Sequence, residues 1–462
     1  MGFAYAFYFF TFILSIVRPV WGFVGLVVSV LIRFQDRFPG IASIKPFTLL
    51  FLGMVIGCFV HKDKLIQSDW KQDKLLLVML GVSFFGLILL EPGDLIGETW
   101  QFISSLAFYF FASRLLTEKK HYYVLFSAMS LCIAYMGYEA IESVTNFPET
   151  TPYIDPRSGR WQGIGYYENS NEFAQLMVTT MPFLFALVLI RKSMLMSIAA
   201  IACIGLMIYV IGKASSRTVM LILGMMVVLT VVLRGKGNVI KKSLVGGIIG
   251  ALLLVGLTFV PGPIQDRLGT VLNAGSDSSF QGRTRAWGYG FDMLSWYPVT
   301  GVGKGQWMEY HGLMPHNSYV QIMAELGPVG IYAFIWILVL SFKEFRPFLS
   351  AGEEGQQKKK TVRPVWGEEP PDEAVPGKMG DTDKQDDISD GETEPIDQET
   401  KTLVISVIVI FVGWLVYILL GNQGYSVWTY FYIGLCASVR NLLPGNRQKV
   451  KQTDGLGQPE TN

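Results

Sequence analysis

The sequence predicts an all-α polytopic membrane protein with about 12 to 13 transmembrane helices. Of the 462 residues, 51% are hydrophobic and 16% are charged. The mean hydropathy is +0.37, and together these values exclude an ordinary soluble globular domain. The apolar residues are also grouped into thirteen runs, separated by charged or Gly- and Pro-rich breaks. Each run is roughly as long as a helix that crosses the hydrocarbon core of a bilayer.

The apolar runs follow one another along the chain and define the candidate helices in order. They are Phe3–Val17, Val20–Ile32, Phe47–His61, Leu75–Leu90, Leu95–Ala112, Tyr122–Ile141, Glu172–Ile190, Met194–Ile211, Thr218–Leu233, Leu244–Val260, Asn317–Ser341, Leu403–Leu420 and Val427–Val439. The first two runs are short and are divided by Arg18-Pro19. The segment Phe3–Ile32 is therefore either two thin spans or one broken span.

The Lys and Arg residues of the short loops predict the orientation. Counting helices puts every basic cluster on one side, which the positive-inside rule makes cytoplasmic. The outer side receives the two longest structured loops, 142–171 and 261–315. The chain then divides into N-terminal transmembrane helices (1–141), a core with those two loops (142–341), an acidic cytoplasmic loop (342–401), a transmembrane hairpin (402–440) and a basic tail (441–462).

Two further features of composition bear on function. The segment Ala351–Lys401 contains 15 acidic and 7 basic residues and almost no apolar ones. It cannot form a core, and we predict a disordered cytoplasmic spacer, with partner binding by its acidic half as the alternative. The four cysteines all fall inside apolar runs, which favours buried small side chains over a disulfide or a metal site.

Two polar residues stand where apolar runs begin on the outer side. Arg217 follows two serines that can cap a helix starting at Thr218, and a cation there opposes the helix dipole by about 0.3–1 kcal/mol. Arg217 therefore either extends to lipid headgroups or forms an anion site with the free N–H groups. His316 follows Pro315, which suits a helix start, so we predict it in a first turn. The dipole keeps its imidazole neutral, either as a proton acceptor or as a simple hydrogen-bonded anchor.

The outer loops supply further cations and aromatic rings. Arg283 and Arg285 lie two residues apart beside Trp287, and a guanidinium binds a phosphate with two hydrogen bonds. The tryptophan is either a membrane-interface residue or a platform for a sugar ring. The other loop contributes Arg160. Gly301–Gly305 (GVGKG) lacks the context of a nucleotide-binding loop, and we predict a flexible turn.

The outer loops contain no cluster of acidic, His or Cys residues with metal-ligand spacing. We therefore expect neither a metal nor another cofactor, and no nucleic-acid partner.

These residues form a pattern that resembles the signature region of the O-antigen ligase/polymerase superfamily, bacterial membrane glycosyltransferases of the GT-C type. The resemblance covers roughly Arg157 to Ser341. It rests on Arg160-Trp161-x-Gly163, Asn171-x-x-Ala174, Ser216-Arg217-Thr218, Gly282-Arg283 through Trp287, Pro298…Gly301-x-Gly303, His316-Asn317-Ser318-Tyr319 and Glu325-Leu326-Gly327-x-x-Gly330. The opening Arg18-Pro19-x-x-Gly22 is similar to a subgroup described as O-glycosylation ligases. The long acidic loop departs from the expected pattern but lies away from the outer face.

The resemblance implies a GT-C-like transferase in the bacterial inner membrane with its active site facing the periplasm. The donor would be an undecaprenyl-diphosphate-linked glycan, and the acceptor a hydroxyl of a lipid, glycan or protein. Transfer would be inverting and metal-independent. Membrane lipids would be further partners. We expect catalysis by His316, Arg217 and Arg285, and substrate binding by Arg283, Arg160, Asn317 and Trp287.

Two alternatives to a ligase stay open at this point. A polymerase that elongates the glycan on the same carrier would share the donor site, and the sequence does not separate the two. A lipid-glycan transporter is less favoured, because the apolar runs carry almost no charge at their centres and no internal repeat is evident.

Overall fold

The protein is a bundle of α-helices, as the sequence predicts. The computed structural model describes residues 1–62, 65, 70–90, 95–190, 193–235, 238–258, 278–349 and 396–443. Within these ranges the only β-type pairing is an isolated bridge between Ile154 and Trp161. The helices are α1 (Gly2–Val17), α2 (Pro19–Ile32), α3 (Phe34–Arg37), α4 (Pro46–Val60), α5 (Trp70–Leu90), α6 (Leu95–Leu115), α7 (Lys119–Asn146), α8 (Ser170–Thr179), α9 (Met181–Ile190), α10 (Met194–Ala214), α11 (Arg217–Arg234), α12 (Val239–Thr258), α13 (Ser278–Trp296), α14 (Trp307–Tyr310), α15 (Ser318–Lys343), α16 (Gln398–Leu419) and α17 (Val427–Ser438).

The thirteen predicted apolar runs are helical over most of the length that the structure describes, and the run Glu172–Ile190 is divided into α8 and α9 at Thr180. Nine helical stretches in this part of the chain have at least 18 residues and are apolar enough to cross a membrane. The remaining runs are shorter or less apolar, such as α1 with 16 residues and α17 with 12. The chain is therefore a multi-pass membrane protein.

The N-terminal segment forms two helices rather than one broken helix. Because α1 and α2 turn back on each other at Arg18-Pro19, Gly22 packs directly against Ser15. His61, at the end of α4, contacts the carbonyl oxygen of Ile16 through its Nε2, at 3.1 Å. Small residues thus let α1, α2 and α4 pack closely without side chains between their backbones.

The two ends of the bundle differ in chemistry. At one end the segments 147–169, 215–216, 297–317 and 420–426 meet, and we call this the loop end. The opposite end, which we call the basic end, has ion pairs such as Arg114–Asp73 at 2.5 Å and Lys119–Asp397 at 3.2 Å. This separation agrees with the charge pattern that predicts which side is cytoplasmic, and that assignment remains a prediction.

The predicted outer loop 261–315 is partly helical, which corrects the expectation of a polar loop. Helix α13 occupies Ser278–Trp296, and the preceding residues 259–277 lie outside the described residues. Hydropathy did not predict this helix, because only one of its faces is apolar. Ala286, Gly290 and Met293 on that face are buried, and Ala286 and Met293 form a small core with Trp307. The helix thus lies at the loop end and packs against α15.

Helix α15 is interrupted, and the interruption explains the glycine motif before it. Gly327 has φ 64° and ψ −167°, and Pro328 follows it. Pro328 has no N–H for the carbonyl oxygen of Ala324, so this acceptor needs another donor. Val302 N–H donates to it at 2.9 Å, and Gly303 N–H donates to the carbonyl oxygen of Glu325 at 3.0 Å.

The segment Gly301–Gly305 is anchored, which corrects the prediction of a flexible turn. Lys304 is 1% exposed, although it lies in a connecting segment. Its ammonium group forms an ion pair with Glu98 and donates to Gln101 Oε1 at 2.8 Å. A buried lysine with two oxygen partners is held in one place. The segment therefore fixes α6 relative to α15.

The predicted acidic loop 342–401 is shorter than expected. Its residues 350–395 lie outside the described residues, as does the tail from residue 444. At the far side of this gap, α16 begins at Gln398, and Asp397 caps it by accepting the Thr400 N–H at 2.8 Å. The pKa of Asp397 is lowered to about 2: burial opposes the shift, but hydrogen bonds from Thr400 and Lys119 outweigh it. The four cysteines are free, as predicted.

We predict that Gly301→Ala destabilises the protein by about 1–3 kcal/mol. Gly301 has φ 65°, and a Cβ there would lie 2.5 Å from the carbonyl oxygen of Ala324. Gly312→Ala is the matched control, because nothing lies within 4 Å of its Cβ position. The check is thermal unfolding of both variants in detergent. Equal midpoints for the two variants would contradict the proposed packing of this segment on α15.

Candidate functional site

Buried Arg160 joins three segments at the loop end. Its Nε donates to the carbonyl oxygen of Ala214 at 2.8 Å, and its Nη2 donates to Asn171 Oδ1 at 2.9 Å. The hydroxyl of Ser216 donates to the same Asn171 oxygen, also at 2.9 Å. One carboxamide oxygen therefore connects the loop 147–169, the start of α8 and the turn between α10 and α11. In this geometry Arg160 positions the site, and its predicted contact with substrate remains a prediction.

The turn before α11 has a left-handed backbone. Ser215 has φ 49°. Ser216 is the N-cap, makes no side-chain cap bond and donates its hydroxyl to Asn171. Helix α11 begins at Arg217, one residue earlier than predicted. Arg217 is half-buried, and the Thr218 beside it lines a cavity described below. The prediction that Arg217 stands at a helix start at the loop end is confirmed.

His316 precedes α15 rather than lying in its first turn, which corrects the sequence expectation. Asn317 is the N-cap, and its Oδ1 accepts the N–H groups of Tyr319 and Val320 at 3.0 and 3.1 Å. His316 itself has φ 47°, a left-handed conformation that costs a non-glycine residue about 1–3 kcal/mol. Asn317 therefore has a capping role in the structure, and its predicted role in substrate binding is untested.

Trp287 holds the backbone next to His316. Its indole Nε1 donates to the carbonyl oxygen of Pro315 at 2.7 Å. The ring is half-buried between α13 and the start of α15. This contact makes Trp287 a positioning residue for His316, whereas the sequence suggested a platform for substrate.

The helical structure of α13 separates the two arginines that the sequence places together. Residues two apart on a helix point to nearly opposite sides, whereas residues four apart share a face. Arg283 shares the inward face with Trp287, and Arg285 is exposed on the other side. The structure therefore brings Arg283 and His316 together and leaves Arg285 outside, so the catalytic role predicted for Arg285 has no geometric support here.

A small cavity collects the site residues at the loop end. Its volume is about 40 Å³, room for a few water molecules. It is lined by Asn169, Asn171, Glu172, Thr218, Arg283, His316, Tyr417, Leu420, Gly421 and Asn422. The lining includes the N-terminal residues of α8 and α11 and the residue two before α15. Helix N-termini carry a partial positive charge and free N–H groups, so they and Arg283 favour an anion. The lining also contains the carboxylic acid Glu172, whose Oε1 accepts a hydrogen bond from Gln423.

The pKa of His316 is lowered from 6.5 by burial of the side chain and then by the nearby positive charge of Arg283. Both causes disfavour the imidazolium. His316 is therefore neutral at pH 7 and able to accept a proton. From the sequence we expected a helix dipole to keep His316 neutral. In the structure the causes are burial of the side chain and the charge of Arg283.

Several cavity residues were not among the predicted site residues. Glu172 appears in the sequence analysis only as the first residue of an apolar run, and Tyr417 and Asn422 do not appear there. Glu172 Oε1 accepts a hydrogen bond from Gln423 Nε2 at 3.2 Å, and Gln423 Oε1 accepts one from the Tyr166 hydroxyl at 3.2 Å. Glu172 could have been recognised from the sequence, because a carboxylate at the start of a long apolar run needs a partner. No comparable sequence feature marks Gln423.

One buried charge lies inside a predicted apolar run. Glu325 of α15 is 0% exposed, and its Oε1 accepts the Trp307 N–H at 3.3 Å. The expectation of nearly charge-free spans is therefore wrong at this position. Within the described ranges, no group of three His, Cys, Asp or Glu side chains is arranged to hold a metal. Metal independence stays a prediction.

Comparison with known proteins finds one matching family model. Residues 201–335 match the family model described as O-antigen ligase, which confirms the resemblance to the O-antigen ligase superfamily. No curated protein matches the chain. The matched segment contains Arg217, Arg283 and His316, while Arg160 and Asn171 lie before it.

We predict that Arg283→Gln weakens binding of pyrophosphate at least tenfold, because a charge-assisted hydrogen bond contributes about 1.5–3 kcal/mol. Arg285→Gln is the matched control: it removes the same charge from the same helix but from its exposed side, and we expect at most about a threefold change. Isothermal titration calorimetry of the purified protein measures both. Equal losses in the two variants would show that α13 acts only through its net charge.

Proposed function

We propose that this protein is a ligase-type membrane glycosyltransferase that moves a glycan from a polyprenyl-diphosphate carrier to an acceptor hydroxyl. The observation that carries the proposal is that His316 and Arg283 line one cavity together with the starts of α8 and α11. The O-antigen ligase match over residues 201–335 supports a membrane glycosyltransferase of the ligase or polymerase type. A cavity with fixed positive charge and a neutral imidazole suits transfer from an anionic leaving group.

The leaving diphosphate gains negative charge as its bond to the anomeric carbon breaks. Arg283 and the N–H groups at the helix starts are fixed donors in a partly buried setting, where each contributes roughly 2–4 kcal/mol to transition-state stabilisation. Arg217 stands at the first position of α11, beside the cavity-lining Thr218. Since these groups supply positive charge, we expect that no divalent cation is required.

The acceptor hydroxyl must lose a proton as it attacks. Its oxygen forms the new bond to the anomeric carbon from the side opposite the diphosphate, so the configuration inverts. The hydroxyl proton passes to a ring nitrogen of neutral His316, and the diphosphate leaves with the electron pair of the broken C–O bond. Positioned general-base catalysis of this kind typically contributes about 10²–10⁴ in rate.

The surroundings fit a lipid-linked donor. Apolar helices flank the cavity and would accommodate the polyprenyl chain, while the loop end would face the periplasm if the basic end is cytoplasmic. We place the protein in the bacterial inner membrane on these grounds. The acceptor, whether lipid A core, protein or another glycan, is left to experiment.

A polymerase acting on the same carrier is the second candidate, since it would use the same donor site. Deletion of the gene in the native host, followed by glycan profiling, separates the two. We expect long lipid-linked polymer to accumulate, because a ligase consumes finished chains. Accumulation of single repeat units would instead identify a polymerase. An unchanged glycan profile would exclude both and return attention to transport.

We predict that His316→Gly lowers transfer by about 10²–10⁴ while the protein still folds. Glycine is chosen because it adopts φ 47° freely, so the variant removes the imidazole without adding backbone strain. His316→Asn also tolerates this conformation and keeps a polar side chain that orients a hydroxyl but takes no proton. Full activity in the Asn variant would exclude general-base chemistry.

The pH profile provides the control for this assignment. Because the pKa of His316 is lowered below 6.5, activity should persist below pH 6.5 and fall only as imidazolium forms at lower pH. The residual activity of His316→Asn should lack this acid limb. An identical acid limb in that variant would assign the titration to another group, with Glu172 the first to examine.

A further inference from the structure

A second, larger cavity lies beside the candidate site at the loop end. Its volume is about 330 Å³, at the lower end of the range for small-molecule sites, about 300–1,000 Å³. The end of α2, the start of α4, the first half of α6 and the start of α17 surround it. We call it the α6 chamber. None of the predicted site residues lines it.

The α6 chamber combines aromatic rings with neutral polar groups. Phe47, Trp100 and Trp428 provide apolar surfaces, and Ser104, Gln101 and Gln35 provide hydrogen-bonding groups. Ser104 is 5% exposed, and its hydroxyl has no hydrogen-bond partner, unlike that of Ser105, which donates to the carbonyl oxygen of Gln101 at 3.1 Å. The side-chain oxygen of Gln35 is also buried without a partner. Because both atoms belong to residues that line the chamber, they are available to form hydrogen bonds with an occupant.

The charges around the α6 chamber are already neutralised. Arg33 donates to Asp36 at 2.6 Å, and Lys304 is paired with Glu98. Lys304 also donates to Gln101 Oε1 at 2.8 Å. The amide nitrogen of Gln101 is therefore the group of this side chain that can donate to an occupant. The chamber therefore does not select a phosphate. A lipid chain would leave Ser104 and Gln35 unsatisfied, whereas a sugar ring matches both the aromatic faces and the polar groups.

Shared lining residues place the α6 chamber close to the candidate site. A third cavity of about 20 Å³ lies between them and shares Tyr166 and Trp428 with the chamber, and Glu172 and Tyr417 with the site. Tyr166, which lines the chamber, donates a hydrogen bond to Gln423, and Gln423 donates one to Glu172, which lines the site. A group held in the chamber thus lies next to the network that orients Glu172.

We propose that the α6 chamber binds one neutral hexopyranose residue of a glycan substrate and so holds that substrate next to the catalytic cavity. Naming the occupant as part of a glycan substrate rests on the proposed function. The chamber would therefore help select the substrate by sugar type, while His316 and Arg283 carry out the transfer.

Saturation-transfer NMR with methyl glucoside, galactoside and mannoside tests the proposal on the full-length protein in nanodiscs. We expect signals for at least one glycoside with wild type. Ser104→Leu, which fills the chamber, should abolish them, and Ser104→Ala should weaken binding roughly threefold through loss of one hydrogen bond. Ser130→Ala is the matched control, because Ser130 is equally buried and without a partner but lies in α7, away from the chamber. Its signals should equal those of wild type.

The proposal is overturned if wild type gives no signal, or if Ser104→Leu binds as wild type does. His316→Gly should retain full glycoside binding while its transfer falls. Glycoside binding by a wild-type protein that shows no transfer activity would reject the proposed function and leave the chamber standing. In a transfer assay, Ser104→Ala should raise KM with little change in kcat. A higher KM for the acceptor assigns the chamber to the acceptor glycan, and a higher KM for the donor assigns it to the donor glycan.

Discussion

An unsatisfied backbone carbonyl within an apolar bundle carries a large free-energy cost, and the organisation of the loop end follows from how this protein meets that constraint. The break at Gly327-Pro328 removes helical donors from α15, and Val302 and Gly303 replace them at 2.9 and 3.0 Å. The backbone at Gly301 lies so close to α15 that only glycine fits there. Gly301 and Gly327, which lie on either side of His316 in the sequence, thus meet in one contact.

The same contact determines where His316 lies. Beyond the glycine segment, the Trp307 N–H donates to Glu325, and the Trp307 indole donates to the carbonyl oxygen of Leu313 at 3.0 Å. Trp287 then holds Pro315. A short series of hydrogen bonds therefore leads from the α15 break to the residue before His316. Rigid support of this kind is what precise placement of a catalytic group requires.

Hydropathy predicted the transmembrane helices because long apolar runs have few other solutions in a membrane protein. It missed α13, whose apolar face is narrow, and with it the helical period that turns Arg283 inward and Arg285 outward. Arg217 and His316 could be proposed because they stand at the edges of apolar runs. Gln423 and Asn422 could not, because their importance depends on α16 and α17 returning to the same end of the bundle, a contact between distant parts of the chain.

Strain at the site indicates that its geometry is imposed rather than relaxed. Ser215 and His316 both adopt left-handed backbone conformations, and each lies directly before the N-cap of a helix at the loop end. Each is held from outside its own helix: the Ser216 hydroxyl by Asn171, and Pro315 by Trp287. Non-glycine residues stay in such conformations only when their surroundings over-determine them. The positions of Arg217 and His316 are thus set before any substrate arrives, which suits a site whose contribution is fixed charge and one oriented imidazole.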